Sequence, residues 1–258
     1  MISDRRRLGL FALGLLGLAS AALAETAVEL IARVKPSVVL VGSYGLLDSP
    51  RFGFSGTGFV VSDGRHVLTN AHVLPPLPPG RVDRRIAIQH WSADTGWTVR
   101  EASVKRTDPV RDLALLTIDG PALPPVKLSS KDVAEGSDIV LIGFPLGGAL
   151  GFSHVSHRGM VAALTAIAPQ AMNAQTLQPR ALQQLRRGSF EVLQLDATAY
   201  PGNSGGPVFD LNNGEVVGVV SMVLVKGTRE AALSAPSGIS YAIKARDAAA
   251  LLAAESKD

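Results

Sequence analysis

The chain has 258 residues, with 25 Lys and Arg against 22 Asp and Glu, and it contains no cysteine. Three of the basic residues and one acidic residue lie in the first 24, so the rest of the chain has a net charge near +1, too small to predict nucleic acid binding. The missing cysteines exclude a disulfide framework, and the scattered histidines predict neither a metal site nor a cofactor.

The first 24 residues have the layout of a secretory signal peptide. Arg5–Arg7 form a basic start, Leu8–Ala19 are almost entirely apolar, and Ala22–Ala24 are small residues at an expected cleavage site. The apolar part is short for a membrane span, which needs about 20 residues. We therefore expect cleavage after Ala24 and export to the periplasm or beyond. An uncleaved anchor is the alternative.

Residues 25–258 predict one domain made of short strands. Apolar stretches alternate with turns containing Gly and Asp over residues 37–120 and again over 131–245, as in barrels or sandwiches. Three further segments are assigned from composition: a connection between the two lobes at 119–130, a polar surface loop with some helix at 169–189, and an Ala- and Leu-rich helix at 245–254.

A serine surrounded by glycines indicates a nucleophile. Ser204 lies in the run PGNSGGP, residues 201–207, where the glycines allow a tight turn and close approach of another molecule. Such a turn can also direct backbone N–H groups at one point, which is what acyl transfer requires. The plainer interpretation is a Gly-rich turn that happens to hold a Ser.

The two partners that a nucleophilic serine needs are found upstream. His72 follows an apolar strand at a corner of small residues and is the candidate base. Asp112 opens the apolar run 112–118, where a carboxylate is costly to bury unless a donor such as an imidazole N–H meets it. His72 could instead be a core histidine. Asp108 competes with Asp112, but it precedes a proline and is typical of a turn.

These segments resemble a known protease family. TNAH at 69–72, DLALL at 112–116 and GNSGGP at 202–207 are similar to the three catalytic motifs of trypsin-like serine proteases, above all those of the bacterial HtrA/Deg type. The order His, Asp, Ser is that of the chymotrypsin superfamily. The resemblance covers roughly residues 26–250. It implies an all-β fold of two six-stranded antiparallel barrels, near 37–120 and 131–245, with a short N-terminal helix and a C-terminal one.

The resemblance also assigns roles to residues. His72, Asp112 and Ser204 would form the catalytic triad, and the backbone at Gly202, Asn203 and Ser204 the oxyanion hole. The primary substrate pocket would be lined by Thr198, Ala199, Tyr200 and Ser221. Thr198 stands where trypsins carry the acid of their pocket floor, so we do not expect cleavage after Lys or Arg.

The function implied is that of an exported serine endopeptidase acting on proteins or unfolded polypeptides, without a PDZ domain and with a trimer as the family's assembly. Nucleic acid, metal and a stable membrane span are not expected. A second hypothesis is a protease-fold protein that binds extended chains and seldom cuts them. An esterase that uses the same serine would not easily explain the His-before-Ser order.

Overall fold

The computed structural model describes residues 25–77, 80, 82–147, 151–167, 190–221 and 238–255. The expected signal peptide, 1–24, and the expected surface loop, 169–189, lie outside the described residues. Within them the chain is mostly strand, arranged as two closed antiparallel barrels of six strands each, which confirms the predicted fold class.

The first barrel has the strand order β1-β2-β3-β6-β5-β4. Its strands are β1 (Val38–Gly45), β2 (Phe52–Val61), β3 (His66–Thr69), β4 (Arg84–Ser92), β5 (Gly96–Asp108) and β6 (Leu113–Ile118). β-branched and aromatic residues, which suit a pleated and half-buried surface, make up nearly half of these strands. Residues 74–77, part of a proline-rich loop, contain no strand, as expected of a segment that lacks backbone donors.

The second barrel repeats this architecture with the order β10-β11-β12-β9-β8-β7. Its strands are β7 (Asp138–Gly143), β8 (Val155–Ile167), β9 (Phe190–Asp196), β10 (Pro207–Asp210), β11 (Val216–Val220) and β12 (Ile239–Lys244). The predicted connection between the lobes, 119–130, contains no named strand. It forms one β-bridge with each barrel: Val126 pairs with Val61 of the first, and Leu128 pairs with Val216 of the second.

Two helices flank the barrels, as predicted. α1 (Ala27–Val34) begins with a capping box in which Thr26 and Glu29 satisfy each other's backbone N–H groups. α2 (Ala245–Glu255) follows β12 directly. One cluster of buried apolar side chains includes residues of both barrels, such as Phe59 of β2 and Phe209 of β10. The two barrels therefore share part of their core.

Candidate active site

The predicted base and carboxylate form a close pair at the wall of the first barrel. His72 lies on a 3₁₀ turn, Ala71–Val73, just after β3, and Asp112 lies just before β6. Nδ1 of His72 is 2.7 Å from Oδ2 of Asp112, and the backbone N–H of His72 donates to Oδ1 at 3.0 Å. A carboxylate facing Nδ1 holds the proton on that nitrogen of a neutral ring and leaves Nε2 as the acceptor.

The backbone around Asp112 is fixed by several hydrogen bonds. Asp112 has φ +55°, a left-handed conformation that is uncommon outside glycine. Its carbonyl accepts hydrogen bonds from the Asn70 side chain at 2.9 Å and from the Ala71 N–H at 3.2 Å. Asn70 is fully buried, so the strained turn and the corner that carries His72 are tied together inside the protein.

Ser221, one of the predicted pocket residues, contacts the Asp112 carboxylate. Its side chain is fully buried, and its Oγ donates to Oδ2 of Asp112 at 2.9 Å. Its backbone N–H donates to the carbonyl of Tyr241. The pocket-lining role stays a prediction. What the structure shows is that Ser221, which follows β11 of the second barrel, contacts the carboxylate of the first.

The turn that carries Ser204 has every carbonyl from 201 to 204 engaged. The donors to these four oxygens, in chain order, are the N–H of Leu146 (2.7 Å), Oγ1 of Thr57 (2.6 Å), the N–H of Gly206 (2.9 Å) and the N–H of Thr57 (2.9 Å). Gly202 has φ +105°, and a Cβ there would lie 2.2 Å from the carbonyl oxygen of Phe144, so only glycine fits.

The serine turn packs against the strand end that leads to His72. A Cβ on Gly205 would lie 2.4 Å from Oγ1 of Thr69 and 3.2 Å from the backbone N of Asn70. Ser204 itself is only 5% exposed. The second barrel thus presents Ser204 beside the corner of the first barrel that carries the His72–Asp112 pair.

Asn203, also predicted for the oxyanion hole, has its backbone N–H in a hydrogen bond of the turn itself. Its backbone N–H donates to the carbonyl of Tyr200 at 2.9 Å and so is not free to face a substrate. Its side chain is fully buried, and neither of its polar atoms has a hydrogen-bond partner among the described residues. Gly202 and Ser204 remain the predicted donors.

The other predicted pocket residues lie together on the segment before the serine turn. Thr198 is partly exposed, and Ala199 is buried with its N–H donating to Oγ of Ser240 at 2.9 Å. Oγ of Ser240 in turn donates to the carbonyl of Ala197 at 2.6 Å. The ring of Tyr200 faces that of His157 at 5.8 Å between centroids.

The sequence interpretation missed the roles of two buried hydroxyls, those of Thr57 and Ser240. A threonine between glycines in GTG, residues 56–58, is the only sequence signal for the first. Nothing in the local sequence marks the second, because a serine in an apolar strand has no pattern that indicates its partner.

Three histidines outside the motifs, His90, His154 and His157, are at least partly buried. Nε2 of His154 is 2.9 Å from the carbonyl oxygen of Val38, and its ring stacks on Trp97 at 5.7 Å. Burial lowers the pKa of His154, aided by the charge of Lys35 and opposed by the Val38 hydrogen bond. Burial also lowers the pKa of His90 and of His157.

Across the described ranges, no cluster of three or more His, Cys, Asp or Glu side chains is arranged to hold a metal ion. In the same part of the chain, no helix has both the length and the apolar character needed to cross a bilayer.

The sequence has relatives among known proteases. The family described as "Trypsin-like peptidase domain" matches residues 56–219. A "Probable periplasmic serine endoprotease DegP-like" from Pseudomonas fluorescens is 34% identical over 172 residues, which cover 66% of this chain and 30% of the relative. A "Serine protease HTRA2, mitochondrial" from Drosophila pseudoobscura is 33% identical over 174 residues, covering 67% of this chain and 35% of the relative. The chain spans about a third of the length of these curated relatives.

Solved structures share the architecture. The crystal structure of Deg5 superimposes with a TM-score of 0.61 and 26% identity, over 86% of this chain and 90% of that one. The crystal structure of the serine endoprotease from Yersinia pestis gives a TM-score of 0.60 with 24% identity, over 89% of this chain and 66% of that one, and it supports the fold alone.

Proposed function

Because this chain belongs to the trypsin-like peptidase domain family, we propose that it is a serine endopeptidase with Ser204 as nucleophile, His72 as general base and Asp112 as the orienting carboxylate. The observation that carries the proposal is the 2.7 Å contact between Nδ1 of His72 and Oδ2 of Asp112, beside the turn that presents Ser204. Relatives named as serine endoproteases support it.

The chemistry follows from the roles of these three side chains. Nε2 of His72 takes the proton of the Ser204 hydroxyl as Oγ attacks the carbonyl carbon of the scissile peptide bond. The tetrahedral intermediate collapses, the C–N bond breaks, and His72 gives the proton to the leaving amine. A water molecule then attacks the acyl-enzyme, again losing its proton to His72, and Ser204 is regenerated with release of the new carboxylate.

The backbone N–H groups of Gly202 and Ser204 are the proposed donors to the oxyanion in both tetrahedral intermediates. Loss of one such donor typically lowers the rate by about 10²–10³-fold. Asp112 stabilises the imidazolium that forms in each step, and the Ser221 hydroxyl keeps the carboxylate in place.

The proposed substrates are proteins or unfolded polypeptides, with a small or medium aliphatic residue before the cut. The relative from Pseudomonas fluorescens is named as periplasmic, which together with the signal-like segment 1–24 supports export. A role in protein quality control is part of the proposal. Assembly into oligomers is part of the same proposal.

The test is cleavage of an unfolded protein such as casein by residues 25–258, beside the Ser204→Ala variant. Mass spectrometry identifies the cut sites, and a fluorophosphonate probe reports the reactive serine. We expect cleavage and labelling by the wild type and neither by the variant, because the attacking hydroxyl is gone.

Binding of casein without cleavage or labelling by the wild type would contradict the proposal and support the polypeptide-binding alternative. Cleavage that survives in Ser204→Ala would show that another residue is the nucleophile. Cuts mainly after Lys or Arg would contradict only the proposed pocket.

A further inference from the structure

We propose that Thr57 is a positioning residue for the oxyanion hole, acting through the backbone of Gly202; this inference rests on the proposed function. Thr57 lies in β2 of the first barrel, and its side chain is fully buried. Although 145 residues of sequence separate it from Gly202, Thr57 contacts the carbonyl oxygens of Gly202 and Ser204, the two neighbours of Asn203 in the serine turn.

Thr57 makes three hydrogen bonds toward the second barrel. Its Oγ1 donates to the carbonyl oxygen of Gly202 at 2.6 Å, and its backbone N–H donates to the carbonyl oxygen of Ser204 at 2.9 Å. The N–H of Phe144 donates to the same Oγ1 at 3.2 Å. The single hydroxyl proton is thus directed to Gly202, because Phe144 occupies the acceptor side of the oxygen.

The orientation of Gly202 needs such an external constraint. Without a Cβ, glycine populates many backbone conformations, and Gly202 has φ +105°. Its N–H belongs to the planar peptide whose carbonyl, that of Pro201, accepts the Leu146 N–H at 2.7 Å. The Thr57 hydroxyl fixes the peptide on the other side of Gly202, together with the N–H of that peptide, which belongs to Asn203 and donates to the Tyr200 carbonyl. With both peptide planes held, the N–H of Gly202 has one direction.

Loss of the hydroxyl should therefore disturb the transition state more than substrate binding. Thr57→Ala leaves the Gly202 carbonyl and the Phe144 N–H without this partner, so the glycine can rotate. We expect kcat to fall about 10- to 100-fold, less than the loss of an oxyanion donor itself, while KM changes by less than about 3-fold.

The matched variant is Thr57→Ser, because it differs from Thr57→Ala only by the hydroxyl. We expect Thr57→Ser to retain kcat within about 3-fold of wild type, because the serine keeps the hydroxyl that donates to the Gly202 carbonyl and loses only a methyl group. Ser129→Ala is the control for a lost buried hydroxyl elsewhere: Ser129 is 4% exposed, and its Oγ donates to the Lys131 carbonyl in the connection between barrels.

A peptide aldehyde separates positioning from general loss of structure. It adds to Ser204 and forms a tetrahedral adduct with an oxyanion, so its affinity for Thr57→Ala should fall by the same factor as kcat. Affinity for an uncleaved peptide, measured in Ser204→Ala with and without Thr57→Ala, should stay the same. Thr57→Val, which fills the same volume, replaces Thr57→Ala if that variant does not fold.

Equal kcat in Thr57→Ala and Thr57→Ser would overturn the inference, and so would an unchanged aldehyde affinity in Thr57→Ala. In either case cleavage by the wild type would leave the proposed function intact. If the wild type neither cleaves nor reacts with the fluorophosphonate, the proposed function fails instead. A crystal structure of Thr57→Ala then decides the inference: an unmoved Gly202 peptide overturns it, and a rotated one supports it.

Discussion

At the scale of single residues, Ser221 is the point where the second barrel contacts the Asp112 carboxylate of the first. Its hydroxyl donates to the same Asp112 oxygen that faces His72. Hydrogen bonds to charged groups contribute more than neutral ones, about 1.5–3 kcal/mol each. Ser221 therefore helps to keep the carboxylate pointed at the imidazole.

Replacing Ser221 by Ala should lower kcat by about 10-fold, because about 1.4 kcal/mol of support for the His72–Asp112 pair is lost when the imidazolium forms. KM should change little. Steady-state kinetics on one peptide substrate checks this, with Ser92→Ala, at the end of β4, as the control. Unchanged kcat in Ser221→Ala would mean that the imidazole and the backbone N–H of His72 are sufficient to hold the Asp112 carboxylate in place.

At the scale of elements, an aromatic cluster connects the loop after β7 to the first barrel. Phe54 of β2 and Trp97 of β5 contact Phe152, and Trp97 also contacts Phe144 and His154. Each such ring pair contributes about 0.5–1.5 kcal/mol beyond the burial of its surface. The cluster fixes Phe144 at the start of this loop. Two residues further on, the backbone N–H of Leu146 donates to the Pro201 carbonyl in the serine turn.

The cluster should make stability depend on pH. The folded pKa of His154 is below its ordinary value of about 6.5, so the unfolded chain binds the proton more readily. The free energy of unfolding should then be greatest above about pH 6.5 and fall as the pH drops through that value toward the lowered folded pKa. His90 and His157 act in the same direction because burial lowers the pKa of each.

His154→Phe should reduce this pH dependence. The ring packing is kept and the titrating group is removed, although the hydrogen bond to Val38 is lost at every pH. Urea unfolding at pH 7.5 and pH 5.5 measures the difference for both proteins. An equal difference in wild type and His154→Phe would show that His154 does not carry the effect.

The sequence predicted the elements better than the contacts between them. Alternating apolar residues and glycine turns indicated the strands, and three motifs indicated His72, Asp112 and Ser204. The supporting contacts join distant positions: 145 residues separate Thr57 from Gly202, 109 separate Ser221 from Asp112, and 116 separate His154 from Val38. Local pattern carries no information about such pairs, since only the closed barrels bring them together.

At the scale of the whole molecule, α2 connects the two barrels. It continues from β12 of the second barrel and makes polar contacts with the first. These contacts are Arg111 Nε to Asp247 Oδ1 at 3.3 Å, Arg106 to the Ala254 carbonyl at 3.1 Å, and His66 Nε2 to Glu255 Oε2 at 3.0 Å. Leu251 of α2 is buried in the core cluster that contains residues of both barrels.

Leu251→Ala should destabilise the protein by about 2–4 kcal/mol, because the buried methyl groups are lost and a cavity is left between helix and barrels. Thermal or urea unfolding checks this, with Ala250→Ser on the exposed face of α2 as the control. A loss below about 1 kcal/mol would mean that the helix repacks and is not a close-fitted part of the core.

The division of the site between the barrels has a consequence for a nascent chain on the ribosome. All six strands of the first barrel lie within residues 38–118, so the segments that carry the proposed base and carboxylate are made before half of the chain has been synthesised. The proposed nucleophile at 204 and the supporting hydroxyl at 221 follow only later. The order of synthesis thus completes the proposed catalytic centre only after most of the chain has been made.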